Sequence, residues 1–117
     1  MCGLAGFLNV GKGFDFSRAV RMADTLRHRG PDQKGFWVDY EQGVALAHRR
    51  LSILDLSSTG NQPMTSTEGR YVLVFNGEIY NHMEMRQALA KKSLAPIWKG
   101  HSDTETLLAA ISAWGIS

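Results

Sequence analysis

Apolar positions along the chain predict four strands. Cys2 to Val10 is an apolar run bounded by glycines, which indicates a short buried strand with a cysteine at its start. Gly35 to Tyr40 and Gly43 to Arg50 are expected to form two strands joined by a turn. The run from Tyr71 to Phe75 is apolar throughout, and it is the strongest strand prediction in the sequence.

Helical spacing and capping patterns mark three further segments. Between Asp15 and Arg27, apolar residues recur at intervals of three and four, as on one face of a helix. Asn81 to Glu84 and Ser102 to Glu105 each match a capping box, in which the two end residues cap the start of a helix. We therefore expect helices after both boxes, the second running to Gly115.

Composition narrows the class of protein. The chain has 117 residues, 44% of them hydrophobic and 21% charged, which fits one soluble domain. A net charge of +2 is too small to predict binding to nucleic acid or to a membrane surface. No apolar run reaches the roughly 18 residues of a membrane span, and the start of the chain does not resemble a signal peptide. The four histidines lack metal-ligand spacing, so we expect no metal site.

Cys2 is the only cysteine, and it becomes the first residue if the initiator Met1 is removed. A free α-amine has an ordinary pKa of about 7.7–8.0, so part of it is unprotonated at neutral pH and can take the thiol's proton. One residue would then supply both nucleophile and base. The alternative is that Cys2 is incidental, or a small buried apolar residue. A lone cysteine also fits a reducing compartment, and we expect the chain to be cytoplasmic.

Three other places carry candidate chemistry, each with a simpler interpretation. Arg50, at the end of a predicted strand, could grip a carboxylate with its planar guanidinium or could be a surface cation. Asn76 and Gly77 could donate hydrogen bonds to an oxyanion, but Asn-Gly after a strand also predicts a hairpin turn. Asp103 could bind an ammonium group or could simply complement the dipole of the helix that begins there.

Six short motifs occur in one order along the chain: Met1 to Phe7, His28 to Asp32, His48 to Ser52, Asn61 to Met64, Phe75 to Asn81 and Gly100 to Glu105. In that order and approximate spacing they resemble the class II glutamine amidotransferases, and more narrowly the N-terminal glutaminase region of glutamine-hydrolysing asparagine synthetases. The resemblance implies an α+β fold of the N-terminal-nucleophile hydrolase type, an α/β/β/α sandwich of antiparallel sheets between layers of helices. Residues 1–117 would form a truncated glutamine amidotransferase type 2 domain.

The resemblance also implies the catalytic roles. Cys2, once freed of Met1, attacks the side-chain amide carbon of glutamine, and its own α-amine passes the proton to the leaving ammonia. The side chain of Asn76 and the N–H of Gly77 hold the oxyanion. The γ-glutamyl thioester is then hydrolysed to glutamate.

The same resemblance implies a set of glutamine-binding residues. Arg50 pairs with the α-carboxylate of glutamine, and Asp103 receives its α-ammonium group together with the region of Glu78. Ile53 and Leu54 complete the set, along with the two oxyanion donors.

The fate of the ammonia would depend on a domain that this sequence does not contain. Family members continue into a synthetase domain that uses ATP and magnesium to amidate aspartate, whereas the glutaminase region is expected to need no cofactor. Because the chain ends at Ser117, we expect a fragment of a longer ligase of amino-acid biosynthesis, with glutamine and the synthetase domain as partners. The sequence does not decide whether the chain forms a homodimer. Two alternatives remain: a glutaminase that serves another carboxylate, such as a sugar of a surface polysaccharide, and a truncated, inactive interaction module.

Overall fold

The computed structural model describes residues 2–8, 15–51 and 60–116, and these fall into two compact units. What we call the sheet unit is drawn from Met1–Ser52, Asn61–Pro63 and Val74–Asn76. What we call the helical unit is drawn from Ile53–Gly60, Met64–Leu73 and Gly77–Ser117. The glutamine contacts predicted for Ile53 and Leu54 lie outside the described residues.

The sheet unit contains β1 (Gly3–Leu8), α1 (Phe16–Asp24), β2 (Gln33–Asp39) and β3 (Val44–Arg50). The central strand is β3, which pairs antiparallel with β1 on one side and with β2 on the other. Helix α1 packs against this sheet, and the buried apolar side chains are small: Ala19, Ala23, Ala45 and Ala47. The three strands predicted in the first half of the chain are therefore confirmed in position. The expectation that the first of them is buried is wrong, because only Gly3 of β1 is buried, and Asn9 and Val10 at the end of the predicted run lie outside the described residues.

Helix α1 is shorter than its apolar spacing predicts. It begins after Asp15, whose carboxylate accepts a hydrogen bond from the N–H of Ser17 at 2.9 Å. The predicted helix extends to Arg27, but the observed one ends at Asp24. The N–H groups of Leu26 and Arg27 bond to carbonyls three residues back, so the chain tightens into turns instead of continuing the α-helix.

The helical unit contains β4 (Met64–Thr65), β5 (Val72–Leu73), α2 (His82–Lys91) and α3 (Asp103–Trp114). The two short strands pair antiparallel, and α2 packs against α3 around the buried side chains of Leu89, Thr106 and Leu108. Within the part of the chain that is described, no helix is long and apolar enough to cross a membrane. The sheet unit combines one described helix with antiparallel strands and the helical unit combines two, so the chain has an α+β fold.

The strand predicted for Tyr71 to Phe75 is wrong in extent, because only Val72–Leu73 forms a strand. Its partner β4 has two residues, so the ladder of backbone hydrogen bonds is equally short. Beyond this ladder, the N–H and C=O groups of Phe75 bond to side chains rather than to a neighbouring strand. An apolar run indicates that a segment is at least partly buried. It does not indicate which groups form hydrogen bonds with the backbone N–H and C=O groups of that segment.

The two predicted capping boxes are only partly correct. Asn81 precedes α2, but its side chain makes no capping hydrogen bond. Ser102 does cap α3, since its Oγ accepts a hydrogen bond from the N–H of Glu105 at 3.2 Å. The carboxylate of Glu105 bonds instead to the N–H groups of Lys99 and Gly100, at 2.8 and 3.0 Å. The same glutamate therefore holds the loop that leads into α3.

Candidate active site

Cys2 is held at one end of the sheet. It immediately precedes β1, whose first residue, Gly3, pairs with Arg49 near the end of β3. Its Sγ accepts a hydrogen bond from the N–H of Leu51 at 3.3 Å and lies 3.5 Å from the carbonyl oxygen of the same residue. Cys2 is partly exposed, which makes it unlike a fully buried apolar residue. The candidate nucleophile is therefore fixed by the main chain and belongs to a residue that is only partly buried.

The turn after α1 closes on the backbone of Cys2. Arg29 donates a hydrogen bond from Nε to the carbonyl oxygen of Cys2 at 3.3 Å. The next residue, Gly30, is buried, and a Cβ at this position would collide with the backbone of Arg49. Arg49 in turn donates from Nε to the carbonyl oxygen of Gly30 at 3.1 Å. The motif at residues 28–32 was noticed in the sequence, but these contacts were not predicted.

Arg50 is the last residue of β3 and is 7% exposed, so its interpretation as a surface cation is wrong. Its Nη1 donates to Oε1 of Gln33 at 3.0 Å and to Oδ1 of Asn61 at 2.8 Å. Gln33 lies directly opposite Arg50 in β2. These two amide oxygens fix the direction of a planar group that can bind a carboxylate through paired hydrogen bonds.

Near Arg50 lie two residues whose function the sequence did not predict, His48 and Gln62. His48, in β3, is 1% exposed, and its Nε2 lies 3.3 Å from the carbonyl oxygen of Phe75. Burial lowers the pKa of His48, the charge of Arg50 adds to this effect, and the bond to Phe75 opposes it. The ring is therefore neutral near pH 7. Gln62 accepts a hydrogen bond from the N–H of Phe75 through Oε1 at 2.6 Å.

The predicted oxyanion donors and Glu78 lie on an exposed stretch of chain. Asn76, Gly77 and Glu78 are all exposed. Asn76 belongs to the sheet unit, as do Cys2 and Arg50, whereas Gly77 and Glu78 belong to the helical unit. The hairpin interpretation of the Asn-Gly pair is wrong, since the next element along the chain is α2 and not a strand.

Asp103 is the first residue of α3 and is 7% exposed. Its Oδ2 accepts a hydrogen bond from the N–H of Ile79 at 2.9 Å. The carboxylate therefore does more than complement the helix dipole, because it ties the segment that carries Glu78 to the start of α3. Within the helical unit, the structure thus brings together the two positions predicted to receive an ammonium group.

Arg86 organises the loop before α3, and nothing in the sequence reasoning assigned it a role. This buried residue donates to three oxygens around the start of α3: Thr106 Oγ1 at 2.7 Å, the Gly100 carbonyl at 3.0 Å and the Ser102 carbonyl at 3.1 Å. Its guanidinium also lies 4.0 Å from the ring centroid of Trp98. Burial lowers the pKa of Arg86, and the neighbouring charge of Glu105 opposes that effect.

The chemistry available to the sheet unit is that of a thiol and a fixed cation held at the same end of one strand. Cys2 bonds to Leu51, and Leu51 directly follows Arg50, so both candidates lie at the same end of β3. Over residues 2–8, 15–51 and 60–116, no three His, Cys, Asp or Glu side chains form a group that could hold a metal ion.

Comparison with known proteins identifies the family. A family model described as "Glutamine amidotransferase domain" matches residues 1–117, and the chain belongs to this family.

Curated relatives narrow the likeness further. The chain is 37% identical over 113 residues to "Asparagine synthetase [glutamine-hydrolyzing] 1" of Bacillus subtilis, a match that covers 93% of this chain and 17% of that protein. It is 38% identical over 120 residues to "Asparagine synthetase [glutamine-hydrolyzing] 2" of the same organism, covering 99% and 15%. It is also 39% identical over 94 residues to "Amidase chry2" of Gibberella zeae, covering 80% and 14%. The chain therefore spans less than a fifth of the length of these three relatives.

Proposed function

We propose that this chain is the glutaminase region of a glutamine-hydrolysing asparagine synthetase. The observation that carries the proposal is the placement of Cys2, whose Sγ is fixed by the main chain of Leu51, the residue that follows the buried Arg50. A nucleophile at the same end of a strand as a cation that can bind a carboxylate suits an amino-acid substrate whose side chain is to be cleaved. The family match and the names of the relatives support the same assignment.

The reaction we propose begins after removal of Met1. The α-amine of Cys2 takes the thiol proton, and Sγ attacks the side-chain amide carbon of glutamine to form a tetrahedral oxyanion. The amide group of Asn76 and the N–H of Gly77 stabilise that oxyanion, which is a large term in acyl transfer. As the C–N bond breaks, the protonated amine gives its proton to the departing nitrogen, and ammonia leaves. Water then hydrolyses the thioester to glutamate and restores the thiol.

Recognition of glutamine would rest on its two charged ends. Arg50 pairs with the α-carboxylate, while Asp103 and the Glu78 region receive the α-ammonium group. Ile53 and Leu54 are proposed to complete the binding set. No cofactor is required for this half-reaction.

The wider context is also proposed. We infer an N-terminal-nucleophile hydrolase sandwich for the complete domain, and a synthetase domain in the longer protein that uses ATP and magnesium to amidate aspartate. A reactive lone thiol suits the reducing cytoplasm. The second candidate acceptor is a carboxylate other than that of aspartate, and one relative is named an amidase and not an asparagine synthetase.

The decisive experiment replaces the nucleophile. Cys2→Ala should abolish glutamine hydrolysis by the processed protein, while the full-length protein keeps its ammonia-dependent amidation of aspartate. Mass spectrometry verifies loss of Met1, and circular dichroism verifies that the variant folds. Glutamine hydrolysis at the wild-type rate in Cys2→Ala would overturn the proposal. Hydrolysis by the wild type without amidation of aspartate would instead favour another acceptor.

A further inference from the structure

We propose that His48 and Gln62 are positioning residues for glutamine hydrolysis, because they hold the two backbone polar groups of Phe75 and thereby aim the side chain of Asn76. The inference rests on the proposed function, since it assigns Asn76 to the oxyanion. It concerns residues of the sheet unit alone.

The geometry fixes the chain on both sides of one α-carbon. Phe75 donates its N–H to Gln62 Oε1 at 2.6 Å, and its carbonyl oxygen lies 3.3 Å from His48 Nε2. The N–H belongs to the peptide plane before Phe75, and the C=O belongs to the plane that ends at the α-carbon of Asn76. Because each peptide unit is planar, two hydrogen bonds set the orientation of both planes. The direction in which Asn76 leaves the backbone follows from the second plane.

The side chains that make these bonds are themselves held in place. His48 lies within β3, paired with Leu4 in β1 and with Gly35 in β2, and it is 1% exposed. The backbone of Gln62 packs so closely on Gly35 that a Cβ there would collide with the Gln62 carbonyl. Phe75 is therefore anchored to the sheet, although it is not part of a strand.

The state of the His48 ring also fits this role. A carbonyl oxygen can only accept, so Nε2 must carry the proton in the neutral ring. Nδ1 is buried and has no hydrogen-bond partner among the described residues. Burying such an atom without a partner lowers stability, and an apolar residue at this position would avoid that loss. The hydrogen bond from Nε2 to the carbonyl oxygen of Phe75 offsets the loss of stability from the unsatisfied Nδ1.

Asn76 depends on its backbone because its own side chain is exposed. Packing therefore contributes little to the orientation of the Asn76 side chain. The hydrogen bonds to the backbone of Phe75 must set that orientation. A displacement of about 1 Å in a catalytic group can lower a rate by about 10²-fold. The expected effect of loosening Phe75 is a loss of turnover and not of substrate binding.

The experiment compares paired variants of the processed protein. His48→Leu removes the donor and Gln62→Met removes the acceptor, whereas His48→Gln and Gln62→Glu keep them. We expect the first pair to lower kcat by about 10- to 100-fold with little change in KM, and the second pair to recover most of it. Gln42→Met, in an exposed turn, is the matched control and should behave as wild type.

A double variant tests whether the effect passes through Asn76. Asn76→Ala should lower kcat by about 10²–10³-fold, and adding His48→Leu should then change little, because the group that it positions is already gone. An independent, multiplicative loss in the double variant would overturn the inference. If His48→Leu does not fold, Gln62→Met takes its place, and the combination of Gln62→Met with Asn76→Ala tests the inference in the same way.

Two failures can be told apart. A wild-type protein without Cys2-dependent glutamine hydrolysis would overturn the proposed function itself, and this inference with it. Full turnover in both His48→Leu and Gln62→Met, in a protein whose hydrolysis does depend on Cys2, would overturn this inference alone. Alkylation of Cys2 by iodoacetamide needs no oxyanion donor, so it should proceed at the wild-type rate in both variants. A parallel loss of alkylation and turnover would mean general damage to the site, and it too would overturn the inference.

Discussion

The backbone on either side of the Asn76–Gly77 bond is held by different kinds of side chain. In the sheet unit, the backbone of Phe75 is bound by a neutral histidine, His48, and by an amide, Gln62. In the helical unit, the N–H of Ile79 is bound by a carboxylate, that of Asp103. The loop before α3 is likewise held by ionised groups, Arg86 and Glu105.

Because the backbone is held by neutral side chains in one unit and by ionised ones in the other, substitutions in the two units should change different measured properties. Hydrogen bonds to ionised groups are roughly twice as strong as those between neutral groups, and a buried charge left unpaired is costly. In the helical unit, the side chains that shape the loop should therefore also carry stability. In the sheet unit, neutral side chains can be replaced with less loss of stability, so their effect should show in geometry and turnover.

The largest expected effect is on the stability of the helical unit, at Arg86. Arg86→Met leaves two carbonyls, a hydroxyl and the Glu105 carboxylate without their cation, and it removes the contact with Trp98. Removal of one partner of a buried charged cluster costs about 3–5 kcal/mol. Urea unfolding followed by tryptophan fluorescence measures this loss.

A matched control is available in the sheet unit. The side chain of Arg21 is 68% exposed, and Arg21→Met should change the free energy of unfolding by less than about 0.5 kcal/mol. Equal effects of Arg21→Met and Arg86→Met would contradict the claim that buried ionised groups hold the helical unit together.

The next effect tests the backbone contacts of the sheet unit, at Gly30. A Cβ in Gly30→Ala would collide with the backbone of Arg49, so either β3 or the turn must move, at about 1–3 kcal/mol or more. Gly69→Ala is the control, because no atom of the described residues beyond its two chain neighbours lies within 4 Å of its Cβ position, and its φ is 76°. That conformation alone costs a non-glycine residue about 1 kcal/mol. Thermal unfolding should rank Gly30→Ala as clearly the more damaging change.

An effect of similar size, on substrate affinity and not on stability, separates the proposed roles of Arg50 and Asp103. Loss of a hydrogen bond to a charged group costs about 1.5–3 kcal/mol, so either alanine variant should raise KM for glutamine by about 10- to 100-fold. Arg50→Ala should lose its preference for glutamine over an analogue without the α-carboxylate, yet keep its preference over one without the α-amine. Asp103→Ala should do the reverse.

A change in KM on Asp103→Ala could come from loosening of the backbone and not from loss of a contact with substrate, so the two causes must be distinguished. Its Oδ2 already bonds to the N–H of Ile79, so Asp103→Ala also loosens that segment. Asp103→Asn keeps an acceptor for this N–H but loses the charge. If Asp103→Asn discriminates between the two analogues as the wild type does, the residue only holds the chain and the binding assignment fails.

Periodicity in the sequence predicted the regular elements well. Strands β1, β2 and β3 and all three helices form where apolar spacing and capping residues indicated them. Such patterns report which face of an element is buried, and that information is local. The order of motifs along the chain then identified the family, which the match over residues 1–117 confirms.

Side-chain bonds to distant backbone were the part that the sequence could not predict. Arg86 bonds to carbonyls 14 and 16 residues away, and His48 bonds to a carbonyl 27 residues away. These partners are backbone atoms, which carry no signature of residue type. The only hint for His48 was a histidine on a strand face shared with Val44 and Leu46, and for Arg86 it was a cation three residues before the buried Leu89.

The smallest expected effect concerns acid sensitivity of the sheet unit, through His48. Burial and the nearby charge of Arg50 lower the pKa of His48 in the folded state, so the unfolded state binds the proton more readily. Stability from this residue should be fully present above the ordinary histidine pKa of about 6.5, and it should be lost as pH falls below that value.

His48→Gln keeps a donor for Phe75 but does not titrate, so its unfolding free energy should fall less between pH 7 and pH 5. The exposed His28 provides a substitution control, since His28→Gln leaves the contact between His48 and Phe75 intact. Identical acid slopes for His48→Gln and wild type would mean that folding does not lower the pKa of His48, and would contradict this prediction.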